Sequence, residues 1–179
     1  CACTLFSIDL DRFKVVNDQL GHAAGDAVLK AAAARLQAIA GDSAMVARLG
    51  GDEFALLLEG RFLEADVVVL AERVVEALRE PVDIFGRNVM TGASVGVASF
   101  PAHAADYQEL LANADLSLYQ VKMSGRLGFH LFDSELRAKR TGFGWWLTLA
   151  MMVVYYGFIL LVAFNKPFLS QRLGEGVMT

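Results

Sequence analysis

The stretch Arg48-Leu49-Gly50-Gly51-Asp52-Glu53-Phe54 constrains what this chain can fold into more than any other. Apolar runs flank it, Met45 to Leu49 before it and Phe54 to Leu58 after it. Such runs joined through Gly50 and Gly51 predict a β-hairpin, whose turn needs backbone freedom that glycine supplies. Asp52 and Glu53 follow the turn at once, where a metal ion or a polyphosphate could reach them.

The segments around this hairpin predict its partners. Leu5 to Leu10 is short, apolar on both faces and carries Asp9 near its end, as a strand buried under helices on both sides would. A carboxylate at the C-terminal end of such a strand stands where ligands bind in α/β sheets. Asp11 to Leu20 is polar and reads as an irregular connection closing on Gly21-His22. From Asp26 to Ala40, Val28, Leu29, Ala32, Leu36 and Ile39 recur at helical spacing, and Gly41 is placed to end that helix. Glu64 to Glu80 repeats the pattern with Val67, Leu70, Val74 and Leu78, and Pro81 stops it. Val82 to Phe85 and Val89 to Ser99 predict a second hairpin across Gly86-Arg87-Asn88. Tyr107 to Lys122 is a third helix, with Leu110, Leu111, Ala114, Leu118 and Val121 inward, and Phe129 to Phe132 a last strand. Helices alternating with strands imply a central sheet covered by helices, in an α/β or α+β arrangement.

The chain has 179 residues, room for one ordinary domain and little more. Its hydrophobic content of 55% is high, and the excess is concentrated near the C-terminus. Residues 143–164, FGWWLTLAMMVVYYGFILLVAF, carry no charge and are long enough for a membrane-spanning helix, which needs about 20 apolar residues. Trp145 and Trp146 suit an interfacial belt, and Arg137, Lys139 and Arg140 lie just before the span. Beyond it lie only Lys166 and Arg172, so the positive-inside bias places the domain in the cytoplasm and the C-terminus outside. Composition shifts between Asp133 and Arg140. The expected division is a domain over 1–133, a junction over 134–142, the span and a short external tail over 165–179. The chain opens inside a strand without an initiator methionine, so a fragment or a processed form is expected.

The net charge of −4 and the lack of a basic stripe argue against nucleic-acid binding. Cys1 and Cys3 lack CxxC spacing and read as reduced packing residues. His103 and His130 carry no zinc-ligand spacing, and His22 reads as structural.

With these residues in place, RLGGDEF resembles the signature of the GGDEF family, the diguanylate cyclases that join two GTP into cyclic di-GMP. Other blocks carry the resemblance too, from about Thr4 to Phe132. Phe6-Ser7-Ile8-Asp9-Leu10-Asp11-Arg12-Phe13-Lys14 and Asn17-Asp18-Gln19-Leu20-Gly21-His22 look like the family's first strand and the loop after it. Gly25-Asp26, Ala93-Ser94-Val95-Gly96-Val97, Ala114-Asp115-Leu116-Ser117-Leu118-Tyr119, Lys122 and Gly125-Arg126 follow in the family's order.

The resemblance implies a nucleotidyl-cyclase-like fold with a mainly antiparallel sheet, acting as a homodimer because each domain holds one GTP. It assigns Mg²⁺ (or Mn²⁺) to Asp9, the Leu10 carbonyl and Asp52, with Glu53 and Asp52 catalytic. It gives guanine to Asn17 and Asp26, and the phosphates to Lys122, Arg126 and the backbone at Phe13 and Lys14. The chemistry agrees: Mg²⁺ takes one or two protein carboxylates and keeps phosphates and waters as its other ligands. An amide and a carboxylate offer the donor and acceptor types that a base edge requires. Spaced four apart at a helix end, Lys122 and Arg126 can face one side.

The family pattern is not complete here. Members open with a helix and a DxLTxLxNR-like segment, where this sequence has Cys1-Ala2-Cys3. Many carry an RxxD product-inhibition motif whose positions are Gly41 and Ala44 here, so that inhibition is expected to be lost. From Glu135 to Thr179 the sequence instead resembles the small inner-membrane DUF485 family, whose members have two spanning helices. Two further readings stay open: a module that binds GTP without turning it over, and a membrane interaction protein carrying the cyclase piece as a passenger.

Overall fold

The computed structural model describes residues 2–41, 44–133 and 151–155. In chain order the elements begin with β1 (Cys3–Asp11), α1 (Phe13–Leu20), α2 (His22–Ala40), β2 (Ala44–Gly50), β3 (Glu53–Glu59) and α3 (Glu64–Arg79). They continue with β4 (Val82–Ile84), β5 (Arg87–Val89), β6 (Gly92–Phe100), α4 (Tyr107–Met123) and β7 (Gly128–Leu131). The main sheet runs β2-β3-β1-β6-β7, and β4 and β5 form a separate ribbon. Neighbours in the main sheet are antiparallel except β6 and β7, which are parallel.

β1 lies at the centre because both its faces are buried. Phe6, Ile8 and Leu10 point one way, together with Phe54 and Leu56 of β3 and Val95 and Val97 of β6. They pack on Val28, Ala32 and Leu36 of α2 and Val67, Ala71, Val74 and Leu78 of α3. Leu5 and Ala98 point the other way, into a smaller cluster with Leu110, Ala114 and Leu116 of α4. The free thiol of Cys3 packs against this second cluster, while Cys1 lies outside the described residues. Alternation along β1 also puts Ser7 and Asp9 on the α4 side. There the Ser7 hydroxyl donates to Asp115 Oδ1 at 2.8 Å.

Gly96 lets α4 descend onto the sheet, since a Cβ at that position would overlap the backbone of Ala114 and Leu118. Backbone cannot yield as a flexible side chain does.

The structure departs from the sequence reading at several elements. The stretch read as an irregular connection is the helix α1, held by buried Phe13 and Val16, three apart on one face. α2 starts at His22 rather than Asp26. The run read as one strand from Val89 to Ser99 is divided: β5 pairs with β4, and β6 joins the main sheet. The turn between β4 and β5 is Phe85-Gly86, with φ of 54° and 78°, rather than Gly86-Arg87-Asn88. In the first hairpin Gly51 alone needs glycine's freedom, with φ 53°, while Gly50 sits at a register shift after Arg48.

The chain divides into two compact units, Cys1–Leu136 and Arg137–Thr179. In the second, Met151–Tyr155 are helical with exposed side chains. The rest of 143–164, the junction after residue 133 and the tail over 165–179 lie outside the described residues. Among the described residues no helix is long and apolar enough to cross a membrane.

If Gly96 is the point of closest helix–sheet approach, Gly96→Ala should cost about 1–3 kcal/mol of stability, the usual range for overpacking. Gly128→Ala, where an added Cβ meets nothing within 4 Å, serves as the control. Thermal denaturation of the two variants decides it, and equal melting temperatures would contradict the close approach.

Candidate functional site

Three chain segments meet at the C-terminal end of β1, each for a local reason. The first is β1 itself, which ends Asp9-Leu10-Asp11 and presents both carboxylates to the α4 face, two residues apart. The second is the hairpin turn. Arg48 donates from Nε and Nη2 to the Gly51 carbonyl at 3.1 and 2.7 Å, clamping the turn. The Leu10 N–H then donates to the Asp52 carbonyl at 3.1 Å, which pins the turn to the end of β1. The third is the end of α4 and the loop after it, which carry Lys122 and Arg126.

Register places Asp9 directly opposite Glu53 of β3 and Ser94 of β6. Directly opposed residues have Cβ atoms about 4.5–5.5 Å apart, and like charges so placed repel. Lys122 relieves that repulsion by donating from Nζ to Asp9 Oδ2 at 2.7 Å. Asp9 is only 8% exposed, so this cation neutralises a carboxylate that water cannot fully solvate. Asp52 is half-buried in the turn and Glu53 is exposed at the start of β3.

Asp11 is more enclosed, at 2% exposure. The Ser94 hydroxyl donates to its Oδ1 and Oδ2 at 2.9 and 3.1 Å. The Leu127 N–H donates to Oδ2 at 3.1 Å, and Arg126 Nη1 lies 3.7 Å from Oδ1.

At a neighbouring corner, α1 packs on α2. Asn17 is half-buried in α1, with its amide oxygen lying where a Cβ on Gly25 would be. The structure thus brings Asn17 beside the residue preceding Asp26, which is exposed on α2. Gly25 has to be glycine for that contact to exist. Phe13 is buried and Lys14 exposed in the first turn of α1. Val15 and Val16 both donate to the Arg12 carbonyl at 2.9 and 3.3 Å. The earlier N–H groups of a helix start have no intrahelical partner and suit an anion.

Lys122 and Arg126 do come to one side, though not as a helical pair. α4 ends at Met123, and Arg126 lies beyond it with φ 68°. The loop, rather than helical periodicity, turns Arg126 back to β1. His22 is exposed at the start of α2. His103 is structural: its Nδ1 accepts from the Ser99 N–H at 3.0 Å and its ring lies 5.7 Å from that of Phe132. Gly41 ends α2 and Ala44 begins β2, and neither offers a charged side chain. Sequence reasoning missed the roles of Arg48, Ser94 and Asp11. The alternation Asp9-Leu10-Asp11 on a strand was the signal that could have found the last of these.

As a metal site, the donor set fits a hard cation. Asp9 and Asp52 offer carboxylate oxygens, and no cluster of three or more ligating side chains occurs among the described residues. That leaves most positions to phosphate and water, as Mg²⁺ prefers.

The model of the diguanylate cyclase GGDEF domain matches residues 2–127, and that of DUF485, a protein family of unknown function, matches residues 133–179. The bifunctional diguanylate cyclase/cyclic di-GMP phosphodiesterase MucR of Pseudomonas aeruginosa is 42% identical over 131 residues, which cover 73% of this chain and 19% of MucR. The diguanylate cyclase TpbB of the same organism is 42% identical over 120 residues, covering 66% of this chain and 28% of TpbB. The chain therefore spans less than a third of either relative. The crystal structure of the TpbB GGDEF domain superposes with a TM-score of 0.71 at 39% identity, covering 74% of this chain and 83% of that one. Matched over most of its length in sequence and in fold, this chain belongs to the GGDEF diguanylate cyclase family.

Proposed function

We propose that this protein condenses two GTP into cyclic di-GMP, as a membrane-tethered homodimer that depends on Mg²⁺ or Mn²⁺. The observation that carries the reading is the pairing of Asp9 with Glu53 across the ladder, beside Asp52 and under the Lys122 cation. In each of two equivalent steps, a ribose 3′-oxygen of one GTP bonds to the α-phosphorus of the other. The bond to the bridging oxygen breaks and pyrophosphate leaves. Catalysis of such a step is mostly positioning and charge neutralisation.

Asp9, the Leu10 carbonyl and Asp52 would hold the metal ion, which when bound neutralises phosphate charge and polarises the reacting oxygens. Glu53, exposed at the start of β3, would accept the hydroxyl proton. Lys122 and Arg126 supply positive charge for the triphosphate, and the start of α1 at Phe13 and Lys14 supplies backbone N–H groups. Asn17 and Asp26 read the guanine edge. Since one such site holds one GTP, a second copy of the domain has to face it.

The tether reading rests on the uncharged run over 143–164, preceded by Arg137, Lys139 and Arg140. On that reading the GGDEF domain is cytoplasmic at a bacterial inner membrane, with the C-terminus outside.

Purified protein given GTP and Mg²⁺ should form cyclic di-GMP, and Asp52→Ala and Glu53→Ala should each lower the rate by about 100-fold or more while the fold is retained. Product formation untouched by both substitutions would refute the site assignment. Added cyclic di-GMP should leave the initial rate unchanged, because Gly41 and Ala44 stand at the inhibitory positions. Deleting residues 143–179 should move the protein from the membrane fraction to the supernatant, and retention in the membrane would count against the tether.

A further inference from the structure

Asp11 has partners that a solvated turn aspartate would not need. Both its oxygens accept from Ser94, and Oδ2 also accepts the main-chain N–H of Leu127. Arg126 and Leu127 are consecutive non-glycine residues in the left-handed region, with φ of 68° and 59°. That conformation is disfavoured for side chains with a Cβ and persists where the surroundings impose it. Two contacts impose it here. Asp11 takes the Leu127 N–H, and the Leu127 side chain lies over Gly92, where a Cβ would overlap it. Gly92 is the ladder partner of Asp11.

The kink has a directional consequence for Arg126. Its Nη1 lies 3.7 Å from Asp11 Oδ1, too far for a hydrogen bond, while its side chain is 48% exposed. Asp11 therefore attracts the guanidinium toward the end of β1 without using up its donors. Ser94, fully buried, fixes the carboxylate in turn.

We propose that Asp11 is a positioning residue. Its carboxylate, oriented by Ser94, holds the left-handed kink at Arg126–Leu127 and so sets where the Arg126 guanidinium meets the GTP triphosphate. This rests on the assignment of Arg126 to the phosphates.

A double-mutant cycle on the full chain tests it, with a non-hydrolysable GTP analogue and Mg²⁺ as the probe. Asp11→Asn and Arg126→Ala should each weaken analogue binding about tenfold, at the lower end of what loss of an orienting partner costs. The double variant should bind no more weakly than Arg126→Ala alone. Hydrogen exchange should speed up at the Leu127 amide in Asp11→Asn. Ser94→Ala, which keeps the carboxylate, is the milder variant if Asp11→Asn fails to fold, and its smaller loss should vanish in the Arg126→Ala background. A purely structural Asp11 would lower the melting temperature yet weaken binding by the same factor with or without Arg126, and that result, or unchanged exchange at Leu127, overturns the inference alone. Analogue binding unaffected by Arg126→Ala overturns both the inference and the phosphate role on which it rests.

Discussion

Two carboxylates stand at the end of the central strand of this sheet, Asp9 and Asp11, and the site is arranged around the need to neutralise them. Burying an ionised carboxylate is costly unless it is paired and hydrogen-bonded. Asp9 receives Lys122 at 2.7 Å, and Asp11 receives Ser94, the Leu127 N–H and the attraction of Arg126. Both cations come from the end of α4 or the loop after it. The seat of that helix on the sheet is therefore a condition for the site's electrostatics, and Gly96 allows it. Losing one partner of such a pair leaves a buried charge uncompensated, which costs far more than the pair itself contributes.

The opposite side of the site depends on the backbone. Arg48 clamps the Gly51 carbonyl, and the Leu10 N–H holds the Asp52 carbonyl. These contacts keep the turn beside β1, while ladder register puts Glu53 opposite Asp9. The apolar contacts of Phe6, Ile8 and Leu10 with α2 and α3 lie on the reverse face of the same strand. Period-two alternation thus gives one strand two tasks, a core on one face and a charged site on the other.

Much of this was legible in the residues. The helices α2, α3 and α4 are long runs of 16 to 19 residues with apolar side chains recurring at helical spacing, and β1 and the first hairpin are bounded by glycine and charge. α1 was hidden because it is only eight residues long, half of them polar, and the helix exists by packing Phe13 and Val16. Helix formation over so short a length draws its stability from tertiary contact rather than propensity. The run from Val89 to Ser99 misled for a related reason: strand pattern says that a segment is extended, not which strand it pairs with. The split between β5 and β6 is decided by partners.

The acids, the turn glycine and the two cations were in the sequence, together with the order of blocks that marks the family. So was the uncharged run near the C-terminus. Which acid meets which cation was not. Lys122 and Asp9 are 113 positions apart, and Leu127 and Asp11 are 116 apart. No local periodicity links positions so distant. Only the seat of α4 on β1 and β6, and the left-handed kink after it, bring a cation to each carboxylate, because short-range charge pairing depends on distances that folding alone sets.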